Sequence, residues 1–144
     1  MPLQIRPVSP DDFDSIYPLL QQLWPGKALD IEQLHHILQN GVSSATDTLL
    51  CAVLDGTLIG FCAYAIMNNL WQEGRISYVY AMVVDEAQRG KGYGKQLIQA
   101  ALDISRKQGL KRMELDSAFH RLQAHQFYET LGFEKRGYLF SYPL

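Results

Sequence analysis

The densest chemistry in this chain lies between Met82 and Ile98, where an apolar run, Met82-Val83-Val84, passes through a glycine-rich turn into a helix carrying Leu97 and Ile98. Gly90, Gly92 and Gly94 stand at alternate positions, so the backbone there can turn tightly and approach a ligand with no Cβ in the way. A helix that begins at such a turn presents unpaired N–H groups at its positive end, which suits a phosphate or pyrophosphate. Arg89, Lys91 and Lys95 add full positive charges. One or two glycines would read as an ordinary strand-to-helix turn on a solvated basic surface. Three of them, with cations between, point to an anion site.

Spacing narrows the anion. A Walker phosphate loop needs Gly, four residues, then Gly-Lys-Ser/Thr. Counting back from Gly94-Lys95 puts Arg89 where the first glycine belongs and Gln96 where the metal-binding hydroxyl belongs. The dinucleotide fingerprint Gly-x-Gly-x-x-Gly fails as well, since Gly90 and Gly92 lead to Lys95, and Gly92 and Gly94 lead to Leu97. The pattern that fits is Arg-x-x-Gly-x-Gly, carried by Arg89, Gly92 and Gly94 directly after a Val-rich strand. It resembles the acyl-CoA-binding loop of the GNAT family of N-acetyltransferases.

The chain has 144 residues, of which 47% are apolar and 19% charged, with a net charge of −2. That length and composition suit one folded domain with a core of its own, here residues 1–144, rather than a disordered chain. The mildly acidic balance argues against a general nucleic-acid binder. No apolar run reaches the length of a membrane span, and the first residues lack a basic-plus-apolar signal segment. The expectation is therefore a cytoplasmic protein without membrane contact. Cys51 and Cys62 lie on two adjacent strands, where sequence alone allows a disulfide, but in a reducing compartment they read as small buried apolar residues.

The elements that must position the loop follow from periodicity. Leu3 to Val8 alternates as a short strand. Ser9-Pro10-Asp11-Asp12 reads as a helix start capped by Ser9, with Phe13, Ile16, Leu19, Leu20 and Leu23 at helical spacing and Pro18 expected to kink or interrupt them. Asp30 starts a second helix, expected to end at Asn40-Gly41; His35 and His36 lie beside its apolar face, about 100° apart, and make poor joint metal ligands. Asp47 to Met67 reads as a hairpin about Asp55-Gly56. Asn68 to Gly74 reads as a polar loop carrying Leu70 and Trp71, and Arg75 to Val84 as a central strand covered on both faces. After the loop come a helix stopped by Gly109, a strand from Lys111 to Ser117, a helix from Arg121 to Leu131, and two short closing strands, Phe133 to Arg136 and Tyr138 to Tyr142.

The resulting order, βααβββαβαββ, implies an α/β (α+β) sandwich with a mixed, mostly antiparallel sheet and helices on both faces. It is similar throughout to the acyl-CoA N-acyltransferase (GNAT) fold. A second local match, Ala124-His125-Gln126-Phe127-Tyr128-Glu129-Thr130-Leu131-Gly132-Phe133, resembles the family's late motif, Ala-x-x-Phe/Leu-Tyr-x-x-x-Gly-Phe. The two motifs and the element order together span nearly the whole chain.

The resemblance implies acetyl-CoA as cosubstrate, with no metal. It implies that N–H groups over Arg89, Gly90, Lys91, Gly92, Tyr93, Gly94 and Lys95 hold the pyrophosphate, and that Met82, Val83 and Val84 pair with the pantetheine arm. It also implies that Tyr128 protonates the leaving thiolate as general acid, and that an oxyanion is met by a strand N–H, that of Val83. Read from the residues alone, Tyr128 is equally a core tyrosine with a satisfied hydroxyl. Many family members carry Asn where this chain has Arg121, which leaves a CoA phosphate or solvent as the partner of that side chain.

The expected reaction is direct attack of an amine on the acetyl carbonyl. An alkyl amine with a pKa of about 10.4 is almost wholly protonated at neutral pH, so a base or water relay is useful. Glu73, Glu114, Asp116 and His120 are the candidates, each also readable as a surface group. A non-catalytic acetyl-CoA sensor and a nucleotide-phosphate enzyme are the alternatives; the retained Tyr128 opposes the first and the failed phosphate-loop spacings oppose the second. The acceptor is a small-molecule or peptide amine whose identity the sequence leaves open. The apolar tail from Tyr138 to Leu144 is compatible with a homodimer or with closure of the chain's own sheet.

Overall fold

A computed structural model describes residues 2–144. The chain forms two compact units, residues 1–114 and 115–144.

The first unit opens with β1 (Gln4–Pro7) and a single 3-10 turn at Pro10–Asp12, followed by α1 (Phe13–Leu23) and α2 (Ile31–Ser43). Three long strands come next, β2 (Asp47–Leu54), β3 (Thr57–Asn69) and β4 (Gly74–Val84), then α3 (Tyr93–Lys107) and β5 (Met113–Leu115). The sheet order follows the chain order, β1-β2-β3-β4-β5. The first four strands are antiparallel neighbours. β5 runs parallel to β4, because the Lys111 N–H donates to the Arg75 carbonyl and the Ser77 N–H to the Arg112 carbonyl, both positions advancing together.

Both sheet faces are covered, which is why β2 to β4 read as nearly continuous apolar runs. Leu49, Cys51, Phe61, Ala63, Ala81 and Val83 pack with Phe13, Ile16, Leu19, Leu20 and Leu38 of α1 and α2. The alternate residues serve α3, whose Leu97, Ile98 and Ala101 are fully buried. On that side Tyr64 donates to Gln108 at 2.6 Å, and Ser105 donates to Ser77 at 3.0 Å. Cys51 and Cys62 therefore lie on opposite faces of the sheet, and both are free thiols.

Several details differ from the sequence expectation. α1 continues through Pro18; this residue is exposed, so the carbonyl it leaves unpaired can turn to water. Ser9 helps the first turn through its own N–H, which donates to Asp12 at 2.7 Å. α2 runs past Asn40-Gly41 to Ser43, since Gly41 is needed for close packing rather than as a stop: a Cβ there would lie 3.2 Å from Leu49. The turn at Asp55-Gly56 is as expected, with both residues at positive φ, 50° and 79°. β3 extends to Asn69 and shortens the expected loop to a tip of four residues, 70–73, where Leu70 and Trp71 are exposed.

The second unit holds the end of β5 and α4 (Leu122–Thr130). The expected strand from Lys111 to Ser117 shrinks to Met113–Leu115. Residues 133–144 form no strand, contrary to the expected closing pair. A strand needs a hydrogen-bonded partner as well as a composition, and Tyr138, Leu139, Phe140 and Tyr142 are all exposed rather than packed on a layer.

Candidate active site

The glycine loop is built from its entry turn. Asp85 follows β4, and its side chain accepts from the Ala87 N–H at 3.3 Å. Gln22 of α1 grips the same turn: its amide nitrogen donates to Asp85 at 3.2 Å, and its oxygen accepts from the Glu86 N–H at 2.9 Å. Nothing in the sequence flags Gln22, because its partners lie 63 and 64 residues away. Beyond the turn, Gly90 and Gly92 have φ of 76° and 84°, conformations that an L side chain disfavours. Gly92 caps α3, its carbonyl accepting from the Gln96 N–H at 3.1 Å.

From Gly90 to Lys95 no backbone N–H donates to another described residue. Helical geometry explains the last of these, since the first turn has no carbonyl four residues back. The result is a run of open donors at the positive end of a 15-residue helix. Around it, Arg89 Nε donates to the Val84 carbonyl at 3.0 Å and Lys91 Nζ to Gln88 Oε1 at 3.1 Å. Arg89, Lys91 and Lys95 are all exposed, and Tyr93 and Gly94 are half-buried.

The phase of β4 decides which backbone groups face outward. The Asp85 N–H donates to the Ile59 carbonyl at 2.7 Å, and the register pairs Val83 with Phe61 and Ala81 with Ala63. In an antiparallel ladder the hydrogen-bonded pairs alternate, so Val83 and Ala81 direct their N–H groups to β3. Met82 and Val84 direct theirs to the outer edge, and the outward Val84 carbonyl is the one that Arg89 reaches. Val83, expected to supply the oxyanion N–H, thus has that group turned into the ladder. Nearer the start of β4 the outward residues are Arg75 and Ser77. The change from odd to even positions is made by a bulge at Tyr80, where Ala63 pairs with Ala81 but Tyr64 pairs with Val79.

Tyr80 also closes a second feature that sequence reasoning missed. Its hydroxyl donates to Asp47 at 2.6 Å, across the small residues Ala63 and Ala65 of β3. Tyr80 as a whole is exposed, but partial burial of its hydroxyl, and then this hydrogen bond, push that group above its usual pKa, so it remains a donor at physiological pH. A cleft of about 270 Å³ opens beside the pair, lined by Ile37, Asn40, Gly41 and Ser44.

In the second unit Tyr128 is buried on the inner side of α4, its ring edge-on to Phe127 and Phe133 with centroids 5.2 and 5.5 Å away. Its carbonyl accepts from the Phe133 N–H at 3.0 Å, tying the end of the motif to its tyrosine. Arg121 is half-buried and precedes α4, its carbonyl accepting from the His125 N–H. The base candidates are scattered. Glu73 is exposed at the hairpin tip with φ of 55°, Glu114 is half-buried in β5, and Asp116 and His120 are exposed. Among the described residues no group of His, Cys, Asp and Glu could hold a metal ion, and no helix is long and apolar enough to cross a membrane.

A mostly antiparallel five-stranded sheet, an outward-facing bulged β4 and a glycine loop opening α3 define the acyl-CoA N-acyltransferase fold. The sequence profile of the Acetyltransferase (GNAT) family matches residues 13–133, and the chain belongs to that family. It is 31% identical over 137 residues, 94% of each chain, to the uncharacterized N-acetyltransferase YhdJ of Bacillus subtilis (strain 168). Identity is likewise 31% over 133 residues to glucosamine 6-phosphate N-acetyltransferase of Trypanosoma brucei brucei, covering 91% of this chain and 88% of that one. An aminoglycoside N-acetyltransferase solved in complex with CoA shares the fold, with a TM-score of 0.87 at 22% identity over 99% of this chain and 95% of that one. The protein is an N-acetyltransferase.

Proposed function

We propose that residues 1–144 act as one domain that transfers the acetyl group of acetyl-CoA directly to a primary amine of a small molecule or peptide. The observation that carries this reading is the run of open N–H donors from Gly90 to Lys95 at the positive end of α3. It suits a pyrophosphate, where neither phosphate-loop spacing is present. CoA bound to an enzyme of the same fold supports CoA as the carrier.

On this reading the outward backbone groups of Met82 and Val84 pair with the pantetheine arm as an added strand would. Met82, whose N–H faces outward next to the bulge, is on this reading the donor to the acyl oxygen in place of Val83. Tyr128 is the general acid, returning a proton to the thiolate as the amine displaces it. The incoming amine loses its proton to water or to one of Glu73, Glu114, Asp116 and His120. Arg121 contributes charge toward the CoA phosphates.

The test is thermal stabilisation by acetyl-CoA, CoA, ATP and NAD side by side, followed by thiol release against a panel of amines. Stabilisation by the CoA species alone, with thiol release, is expected. Stabilisation by ATP or NAD instead would refute the reading.

A further inference from the structure

The β3–β4 hairpin carries an apolar turn past its neighbour in the sheet. β2 stops pairing with β3 at Ala65, whereas β3 continues to Asn69, so the turn at 70–73 projects about 14 Å beyond β2. Its conformation is fixed from within: Asn69 Oδ1 accepts from the Gln72 N–H at 3.0 Å, and the Leu70 carbonyl from the Glu73 N–H at 3.1 Å. What the turn presents is apolar, since Leu70 and Trp71 are 94% and 79% exposed. Cations gather at the same end. Arg75 stands at the start of β4, and Lys111 lies against Gly74, where a Cβ would be 3.0 Å from its methylene groups. Ser105 bonds Ser77 at 3.0 Å, which sets the last turn of α3, with Lys107, beside the start of β4. Arg75, Lys107 and Lys111 are exposed, and none has an ion-pair partner among the described residues. Arg106 is engaged by Asp103 at 2.9 Å. Three cations against Glu73 of the turn leave this end positive on a chain whose balance is −2.

An apolar point flanked by cations fits an anionic lipid surface, where Trp and Leu enter the interface and Lys and Arg meet the headgroup phosphates. A second copy of the chain would need about 800 Å² from each partner for a stable interface, more than a turn of this size offers. Single-stranded nucleic acid is held in a basic groove with its bases stacked on aromatic rings, whereas this turn is convex and sets an aliphatic side chain beside its Trp. We infer that the hairpin tip inserts Leu70 and Trp71 into anionic membrane surfaces, with Arg75, Lys107 and Lys111 on the headgroups. The expectation of no membrane contact rested on the lack of a spanning or signal segment, and docking in the interface needs neither. α3 runs 15 residues from the glycine cradle to this end, about 22 Å, so docking leaves the cradle clear of the lipid. The inference goes beyond the acetyl-transfer reading without resting on it.

The test is co-sedimentation of the intact protein, at low ionic strength, with vesicles of equal parts phosphatidylserine and phosphatidylcholine and with vesicles of phosphatidylcholine alone, beside capture on heparin beads. The wild type is expected to bind the anionic vesicles about thirtyfold more tightly than the neutral ones, as a net of two cations implies. Trp71→Ser, and Lys107→Gln combined with Lys111→Gln, should each weaken that binding about tenfold or more and leave Tm unchanged. Lipid brominated on its acyl chains should quench wild-type Trp fluorescence. Trp71→Phe keeps an apolar ring and should still bind, but with the quenching lost, because Trp24, the other tryptophan, lies at the end of α1. Equal binding to both vesicles, binding that survives Trp71→Ser, or quenching that survives Trp71→Phe overturns the inference. Capture by heparin without vesicle binding overturns it too, and makes this end a polyanion site.

Discussion

Replacing Gly92 by Glu separates the loop's role in binding from its role in folding. Gly92 has φ of 84°, and a Cβ built there meets nothing within 4 Å. The substitution therefore brings backbone strain without a clash. Left-handed backbone costs an ordinary residue about 1–2 kcal/mol, partly offset by about 0.4–1 kcal/mol from the stiffer unfolded chain. The net loss is about 1 kcal/mol, or about 2–4 °C in Tm for a chain of this size. Binding suffers more. A carboxylate about 6 Å from a pyrophosphate of about two charges, at an effective dielectric of about 40, opposes binding by about 3 kcal/mol, a hundredfold in Kd. Gly26→Glu is the matched control, with φ of 81° and equally open space outside the loop. Calorimetry with acetyl-CoA is expected to show the hundredfold loss only for Gly92→Glu, with both variants folded. Retained affinity in Gly92→Glu, or an equal loss in Gly26→Glu, would refute the cradle.

Three further outcomes are expected. Tyr128→Phe should lower kcat by about a hundredfold or more while the acetyl-CoA Kd stays within about twofold; an unchanged kcat would remove the general-acid role. Asp12 is held below the ordinary carboxylate range, chiefly by its hydrogen bonds from Arg6 at 2.8 and 2.9 Å. Its stabilisation is present above the unfolded pKa of about 3.9 and fades as pH falls through the lower folded value. Urea midpoints should place Asp12→Asn about 1 kcal/mol below wild type at neutral pH and merge with it in strong acid. Burial pushes the Cys51 thiol up to about 11 and the Cys62 thiol to about 12, so alkylation at mildly alkaline pH should label neither until the protein is unfolded; rapid labelling of the native chain would contradict the packing.

What could be read from the sequence was what local backbone chemistry dictates. Asp55-Gly56 and Gly90 to Gly94 call for positive φ or close approach within a few residues, and the structure has both turns where expected. What failed depends on partners distant in the chain. The alternation of β4 cannot reveal a bulge, since the extra residue is defined only against β3; the phase that turns the Val83 N–H into the ladder and the Met82 N–H outward was therefore not legible. The apolar tail after Gly137 had strand composition, but composition supplies no ladder. The Asp47–Tyr80 pair joins residues 33 apart, and neither residue type marks the other.

Because the sheet order repeats the chain order, the ladders from β2 to β4 close through short turns, and most long-range pairing in the sheet is of this kind. Contacts between sequence neighbours form quickly, whereas a parallel crossover must wait for a whole helix to swing across. The β2–β4 meander is therefore expected to assemble first, and α3 with β5 to dock afterwards. The outer edge of β4 and the glycine cradle lie on that seam. Until the crossover docks, the edge exposes unpaired backbone to any other nascent chain, so a carrier molecule that pairs with it would also shelter the last part of the protein to fold.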